Sequence, residues 1–192
     1  MSKNARLVSE VFNPLINPIV TFLVLAMDDP AQPTAKIFLN WAVAIAFASG
    51  LIFLYIAYLK QKRVIESTEL VIREQRISPL TFAVLSYALG FGVLTLLNAP
   101  WLMRGLMFCY ATNTMVVLMI TRRWKISIHT TGIAGPLVAL TYQFGWMLLP
   151  LYILIPIVGL SRVKMHRHTP LQVVAGGILG VAMTIVQLYY FR

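Results

Sequence analysis

Leu80-Thr81-Phe82-Ala83-Val84-Leu85-Ser86-Tyr87-Ala88-Leu89-Gly90-Phe91-Gly92-Val93-Leu94-Thr95-Leu96-Leu97 runs without a single charged residue. A stretch of this length and character approaches the roughly 20 residues that cross a bilayer core. Backbone in hydrocarbon has no water to bond with, so such a stretch must satisfy its own hydrogen bonds, and the reading is helix. Working outward, comparable apolar segments occur at Val11–Met27, Ile37–Leu59, Leu102–Ile120, Thr130–Phe144, Trp146–Leu160 and Leu171–Tyr190. Together they predict an all-α, polytopic transmembrane helical bundle of six or seven spans. Three of these segments are not simple spans. Asn13-Pro14 and Asn17-Pro18 interrupt the first, which either spans or is re-entrant or interfacial. The fifth and sixth are short, and Gly145, with Pro150 and Pro156 beyond it, favours a tight turn between them.

Composition agrees. Of 192 residues 59% are hydrophobic and only 11% are charged, unlike an ordinary soluble domain. No Ser/Gly-rich or charged linker is long enough to separate a second domain, so residues 1–192 are read as one. Cys109 is the only cysteine, which excludes an intrachain disulfide. No small-residue cleavage site closes the first apolar stretch before Asp28-Asp29-Pro30, so no cleavable leader is expected. The net charge of +10 does not imply nucleic acid as a partner, because the cations flank apolar segments instead of forming a stripe on a polar face.

Parity sorts those cations. If the fifth and sixth segments are separate helices, the polar loop Lys60–Ser78, the segment Thr121–Ser127 and the segment Ser161–His168 share one face. Lys3, Arg6, Lys60, Lys62, Arg63, Arg73, Arg76, Arg122, Arg123, Lys125, Arg162, Lys164 and Arg167 would lie there; Lys36, Arg104 and Arg192 would not. A Lys/Arg excess marks the cytoplasmic side.

Two stretches on that face could carry chemistry. Lys125-Ile126-Ser127-Ile128-His129 opens the fifth helix, where unpaired N–H groups attract anions and Lys125 adds a full charge. The same residues also read as a Ser-capped helix start with snorkelling cations. Ser161-Arg162-Val163-Lys164-Met165-His166-Arg167-His168 offers a guanidinium that can hold phosphate oxygens in a bidentate fork. It also reads as a basic loop. Two imidazoles titrating near neutrality could divide a phosphoryl transfer, one attacking and one protonating the leaving oxygen. His166 is expected to face solvent, and Asn113 to hydrogen-bond a neighbouring helix.

With these residues in view, the chain resembles the type 2 phosphatidic-acid phosphatase superfamily of integral-membrane phosphatases, whose motifs are KxxxxxxRP, PSGH and SRxxxxxHxxxD. Ser161-Arg162 and His168 match the third motif in identity and spacing. Val173-Val174-Ala175-Gly176-Gly177-Ile178-Leu179-Gly180 is similar to the small-residue helix that follows it, where Gly176 and Gly180 let another helix approach. Ile126-Ser127-Ile128-His129 keeps the Ser and His of the second. The resemblance covers the chain from about Arg73 onward. It implies His168 as nucleophile forming a phosphohistidine, and His129 as the acid for the leaving group. Lys125, Ser127, Ser161 and Arg162 would hold the phosphoryl oxygens, with no metal or other cofactor. The substrate would be a lipid phosphate or an isoprenyl phosphate or diphosphate.

The chain departs from the pattern twice. Gln172 stands where the family has the Asp that orients the nucleophilic imidazole; its carbonyl accepts a hydrogen bond but brings no negative charge to an imidazolium. In the first motif, placing Pro79 in register leaves Ser78 and Val71 where Arg and Lys belong. Arg73 and Arg76 could supply the charge from another register, or form a solvated face paired with Glu69 and Glu74. The alternative function is a non-catalytic family member that binds anionic lipid headgroups. A prenyl-transferring enzyme would need paired Asp-rich motifs, and only Asp28-Asp29 is present. A transporter is disfavoured because no intramembrane Asp or Glu suggests a proton relay.

Overall fold

The computed structural model describes residues 3–27 and 32–192, so Asp28 and Asp29 lie outside the described residues. Every regular element among those residues is helical: α1 (Lys3–Val11), α2 (Asn17–Ala26), α3 (Thr34–Ile45), α4 (Leu51–Gln61), α5 (Ile77–Leu96), α6 (Trp101–Thr121), α7 (Ile128–Phe144), α8 (Leu154–Lys164) and α9 (Pro170–Phe191). A π-turn at Ala46–Gly50 joins α3 to α4 in one continuous run, and a 3-10 stretch at Gly145–Ile153 leads into α8.

Among the described residues, five helical runs are long and apolar enough to cross a membrane: Thr34–Gln61, Glu74–Leu96, Trp101–Thr121, Ile128–Lys164 and Pro170–Phe191. The fourth is 37 residues long and does not continue straight. At Gly145 the backbone takes φ 75° and ψ −163°, a left-handed-side conformation open to glycine. The chain reverses there, and the Thr141 and Tyr152 hydroxyls meet across the turn at 3.2 Å. The fifth and sixth apolar segments are therefore two antiparallel passes. Five runs, one of them folded on itself, traverse the bundle six times.

The first apolar segment does not span. It is divided: α2 has 10 residues, about 15 Å of helix, half the hydrocarbon core. Asn13 Oδ1 accepts from the Leu15 N–H at 2.9 Å, which turns the chain out of α1. Pro18 then sits in the first turn of α2, where a missing N–H removes no helical bond. Phe22, Leu25 and Ala26 from α2 are fully buried against α3, α6 and α7.

The outward faces of the long helices carry Leu54, Leu85, Leu89 and Ile178, each more than half exposed, as suits a surface solvated by lipid. Inside, Leu94, Leu102, Met103, Leu106, Met107 and Leu188 form the core between α5, α6 and α9. As expected from the sequence, Asn113 bonds a neighbour: its Nδ2 donates to Thr184 Oγ1 at 3.0 Å and its Oδ1 accepts from Gln187 Nε2 at 3.1 Å, tying α6 to α9.

α7 and α9 approach most closely at glycines. A Cβ on Gly176 would stand 2.5 Å from the Ser127 carbonyl oxygen and against the Thr130 hydroxyl; one on Gly180 would be 2.7 Å from Ala134 Cβ. This contact brings together the starts of α7 and α9, one holding His129 and the other following His168.

Candidate functional site at the cation-rich end

The loop that presents His168 is built from ordinary helix-end chemistry. α8 finishes in a paired carbonyl cap: the Arg167 N–H donates to the Arg162 carbonyl at 3.0 Å and the His166 N–H to the Val163 carbonyl at 2.9 Å. His166 holds the left-handed position this turn needs, φ 55°, and is exposed, as the sequence suggested. Three residues after His166, α9 starts with Thr169 as N-cap and Pro170 in the first turn. Gln172 closes a capping box, its Oε1 accepting from the Thr169 N–H at 3.2 Å while its own N–H donates to Thr169 Oγ1 at 3.4 Å.

The same Gln172 Oε1 lies 3.0 Å from His168 Nδ1. Because that oxygen accepts, Nδ1 carries the proton and Nε2 keeps its lone pair. Burial first, and then the Arg76 charge, push the His168 imidazole down to about 3. The side chain is thus neutral across the physiological range. Below about 6.5 an unfolded imidazole takes up a proton that the folded one refuses until about 3. The folded state should therefore lose stability as pH falls through that window. A His168→Asn variant should show a flatter dependence of melting temperature on pH between roughly 4 and 7. Equal slopes would contradict the buried, neutral imidazole.

His129 occupies the first turn of α7. Ser127, fully buried, is that helix's N-cap, accepting from the Thr130 N–H at 3.4 Å. Its backbone N–H donates to the Gln172 carbonyl at 3.2 Å, and its own carbonyl accepts from the Thr131 hydroxyl at 3.0 Å.

Arg76, His129, Arg162 and His168 line one cavity of about 380 Å³. Arg76 is 2% exposed; its Nε donates to the Leu70 carbonyl at 2.7 Å and its Nη1 to the Ile126 carbonyl at 3.1 Å. The Arg162 side chain is 2% exposed, and its charge is thinly matched. One Nη donates to Ser9 Oγ at 2.5 Å and lies 3.8 Å from Glu69, while Nε is buried without a partner. A buried guanidinium so incompletely satisfied is complementary to an anion.

The remaining candidates take other places. Lys125 stands just before α7, half-buried and outside the cavity lining; burial first, then Arg76, Arg162 and Arg167, lower its affinity for a proton. Ser127 and Ser161 are likewise absent from the lining, and the Ser161 hydroxyl donates to the Val158 carbonyl at 2.7 Å within its own helix. Arg73 and Arg76 diverge. Arg73 turns outward to pair with Glu74 at 2.7 Å and to donate to the Arg122 carbonyl at 3.1 Å. Glu69 pairs with neither, and instead sits 3.4 Å from Arg167 and 3.8 Å from Arg162.

Sequence reasoning missed α1 altogether. Arg6, Ser9 and Glu10 line the cavity, with Arg6 and Glu10 joined at 2.7 Å. The available signal was the Arg6/Glu10 spacing of one helical turn ahead of the first apolar segment. Comparison with protein families, with curated proteins and with solved structures finds no match for this chain.

Proposed function

We propose that this chain is an integral-membrane phosphatase that hydrolyses a lipid phosphate or an isoprenyl phosphate or diphosphate, working at the cytoplasmic face. The observation that supports it is the convergence of Arg76, His129, Arg162 and His168, from three separated stretches, on one cavity at the cation-rich end. Family-like spacing at Ser161-Arg162 and His168 supplies the roles, and the Lys/Arg excess supplies the orientation.

Arg76 and Arg162 hold the phosphoryl oxygens and neutralise their charge. His168 Nε2, free to attack because Gln172 holds the proton on Nδ1, bonds to phosphorus while the P–O bond to the lipid breaks. The leaving oxygen takes a proton from His129, which enters the step as the imidazolium beside the bound phosphoryl anion and leaves it neutral. A water then attacks phosphorus and passes its proton to His129, the N–P bond breaks, and inorganic phosphate leaves. Lys125 adds positive potential from outside the cavity.

Purified protein given phosphatidate or isoprenyl diphosphates should release phosphate, and EDTA should not stop it. Gln172→Glu keeps the reach of the capping box and adds the missing negative charge behind the imidazole. It should raise kcat by roughly tenfold or more. A Gln172→Glu protein that folds but turns over more slowly would argue against His168 as nucleophile. The second reading, an anionic-lipid binder without turnover, draws on the uncharged Gln172; headgroup-dependent binding with no phosphate release from any substrate would favour it.

A further inference from the structure

The cavity does not end at the charged groups. Its lining follows the helices inward at one-turn intervals: Arg76 just before α5, then Leu80, Ala83 and Tyr87 down α5, and Val117, Thr114 and Tyr110 down α6. From Arg76 to Tyr87 is 11 residues, about 16 Å at 1.5 Å per residue, so the lining extends over about half the thickness of a bilayer core. Its walls lose charge with depth, and the lining residues farthest along α5 and α6 from Arg76 are Tyr87 and Tyr110, ring centroids 5.3 Å apart. Phe53 of α4 both lines the cavity and is 57% exposed, which marks a side opening toward lipid.

We infer that this bore is a tail-binding site, and that the ligand is an amphiphilic phosphate monoester with a single hydrocarbon chain about one leaflet long. The inference rests on the phosphatase reading for the phosphoryl end and goes beyond it in naming the tail. A volume of about 380 Å³ is near the low end of the roughly 300–1,000 Å³ of sites that enclose one small organic ligand. It holds a headgroup and one chain. A second chain branching at the headgroup would have to leave past Arg6, Ser9 and Glu10, where α1 roofs the charged end. Chain length is then read by the tyrosine pair and chain number by the bore's width.

The test is binding, measured on His168→Ala protein in phosphatidylcholine nanodiscs so that turnover plays no role. The probes are butyl, dodecyl and hexadecyl phosphate and dioleoyl phosphatidate. Dodecyl phosphate should bind at least roughly tenfold more tightly than butyl phosphate and more tightly than the two-chain lipid. Thr114→Trp, which fills the bore, should bring the butyl and dodecyl affinities together. Tyr110→Ala, which deepens it, should move the preference toward hexadecyl. Partitioning into the bilayer is common to all three proteins, so differences between them report the bore, and opposite shifts in two variants are not explained by misfolding. Phosphatidate binding as tightly as dodecyl phosphate, or a length dependence untouched by Thr114→Trp, overturns the proposal. If wild-type protein releases no phosphate from any probe while the length dependence holds, the phosphatase reading fails and the tail site stands.

Discussion

Under the proposed phosphohistidine route, replacing His168 by alanine should lower phosphate release by at least about 10³-fold, because losing the nucleophile removes the covalent path itself. The effect should be confined to chemistry. Gln172 Oε1 still takes the Thr169 N–H when the ring is gone, so the start of α9 stays capped and the melting temperature should stay close to that of the parent protein. His129→Ala should behave differently. Loss of an acid catalyst costs roughly 10²- to 10⁴-fold on a lipid alkoxide, yet much less on p-nitrophenyl phosphate, whose leaving group needs no proton. A labelled phosphoenzyme trapped by rapid acid-free quenching should be present in His129→Ala and absent in His168→Ala. Should both variants show the same loss on both substrates, the division of labour between the two imidazoles is wrong.

The largest expected effect on stability lies at Gly176. An alanine there would put its Cβ 2.5 Å from the Ser127 carbonyl oxygen and into the Thr130 hydroxyl, and neither can retreat because both belong to the capped first turn of α7. The helices must separate, at a cost of about 3 kcal/mol or more. Gly177 provides the comparison: its one near contact is the Ile155 Cγ2 methyl at 2.9 Å, a side-chain atom, with no backbone atom of the facing helix in the way. Gly177→Ala should thus melt well above Gly176→Ala. Gly176→Ala should also impair the site, since α7 carries His129 and α9 begins just past His168. A Gly176→Ala protein as stable as Gly177→Ala would refute the close approach of the two helices.

Much of this architecture could be read from the chain because lipid imposes one local rule, and runs such as Leu80–Leu97 obey it without help from tertiary context. Gly145 was legible for the same reason: a tight reversal needs a residue tolerant of positive φ. Segment Val11–Met27 was harder, since its overall hydropathy resembles a span while Asn13 and the two prolines cut it into pieces too short to cross. At the site, spacing pointed to His129, Arg162 and His168, which do meet around one cavity. It could not distinguish Arg73 from Arg76, because side-chain direction in the irregular stretch before α5 is set by the Leu70 and Ile126 carbonyls. Nor could it give Ser9 and Glu69, whose roles depend on contacts across 153 residues of chain for Ser9. Ser127 carries a motif-like identity, yet its hydroxyl is committed to the Thr130 N–H.

Gln172 has a final consequence. One amide oxygen both closes the first turn of α9 and steers the imidazole, so fraying of that turn releases the ring before any membrane-embedded helix melts. On heating, inactivation should precede the loss of far-ultraviolet ellipticity, and cooling from that intermediate range should restore full function.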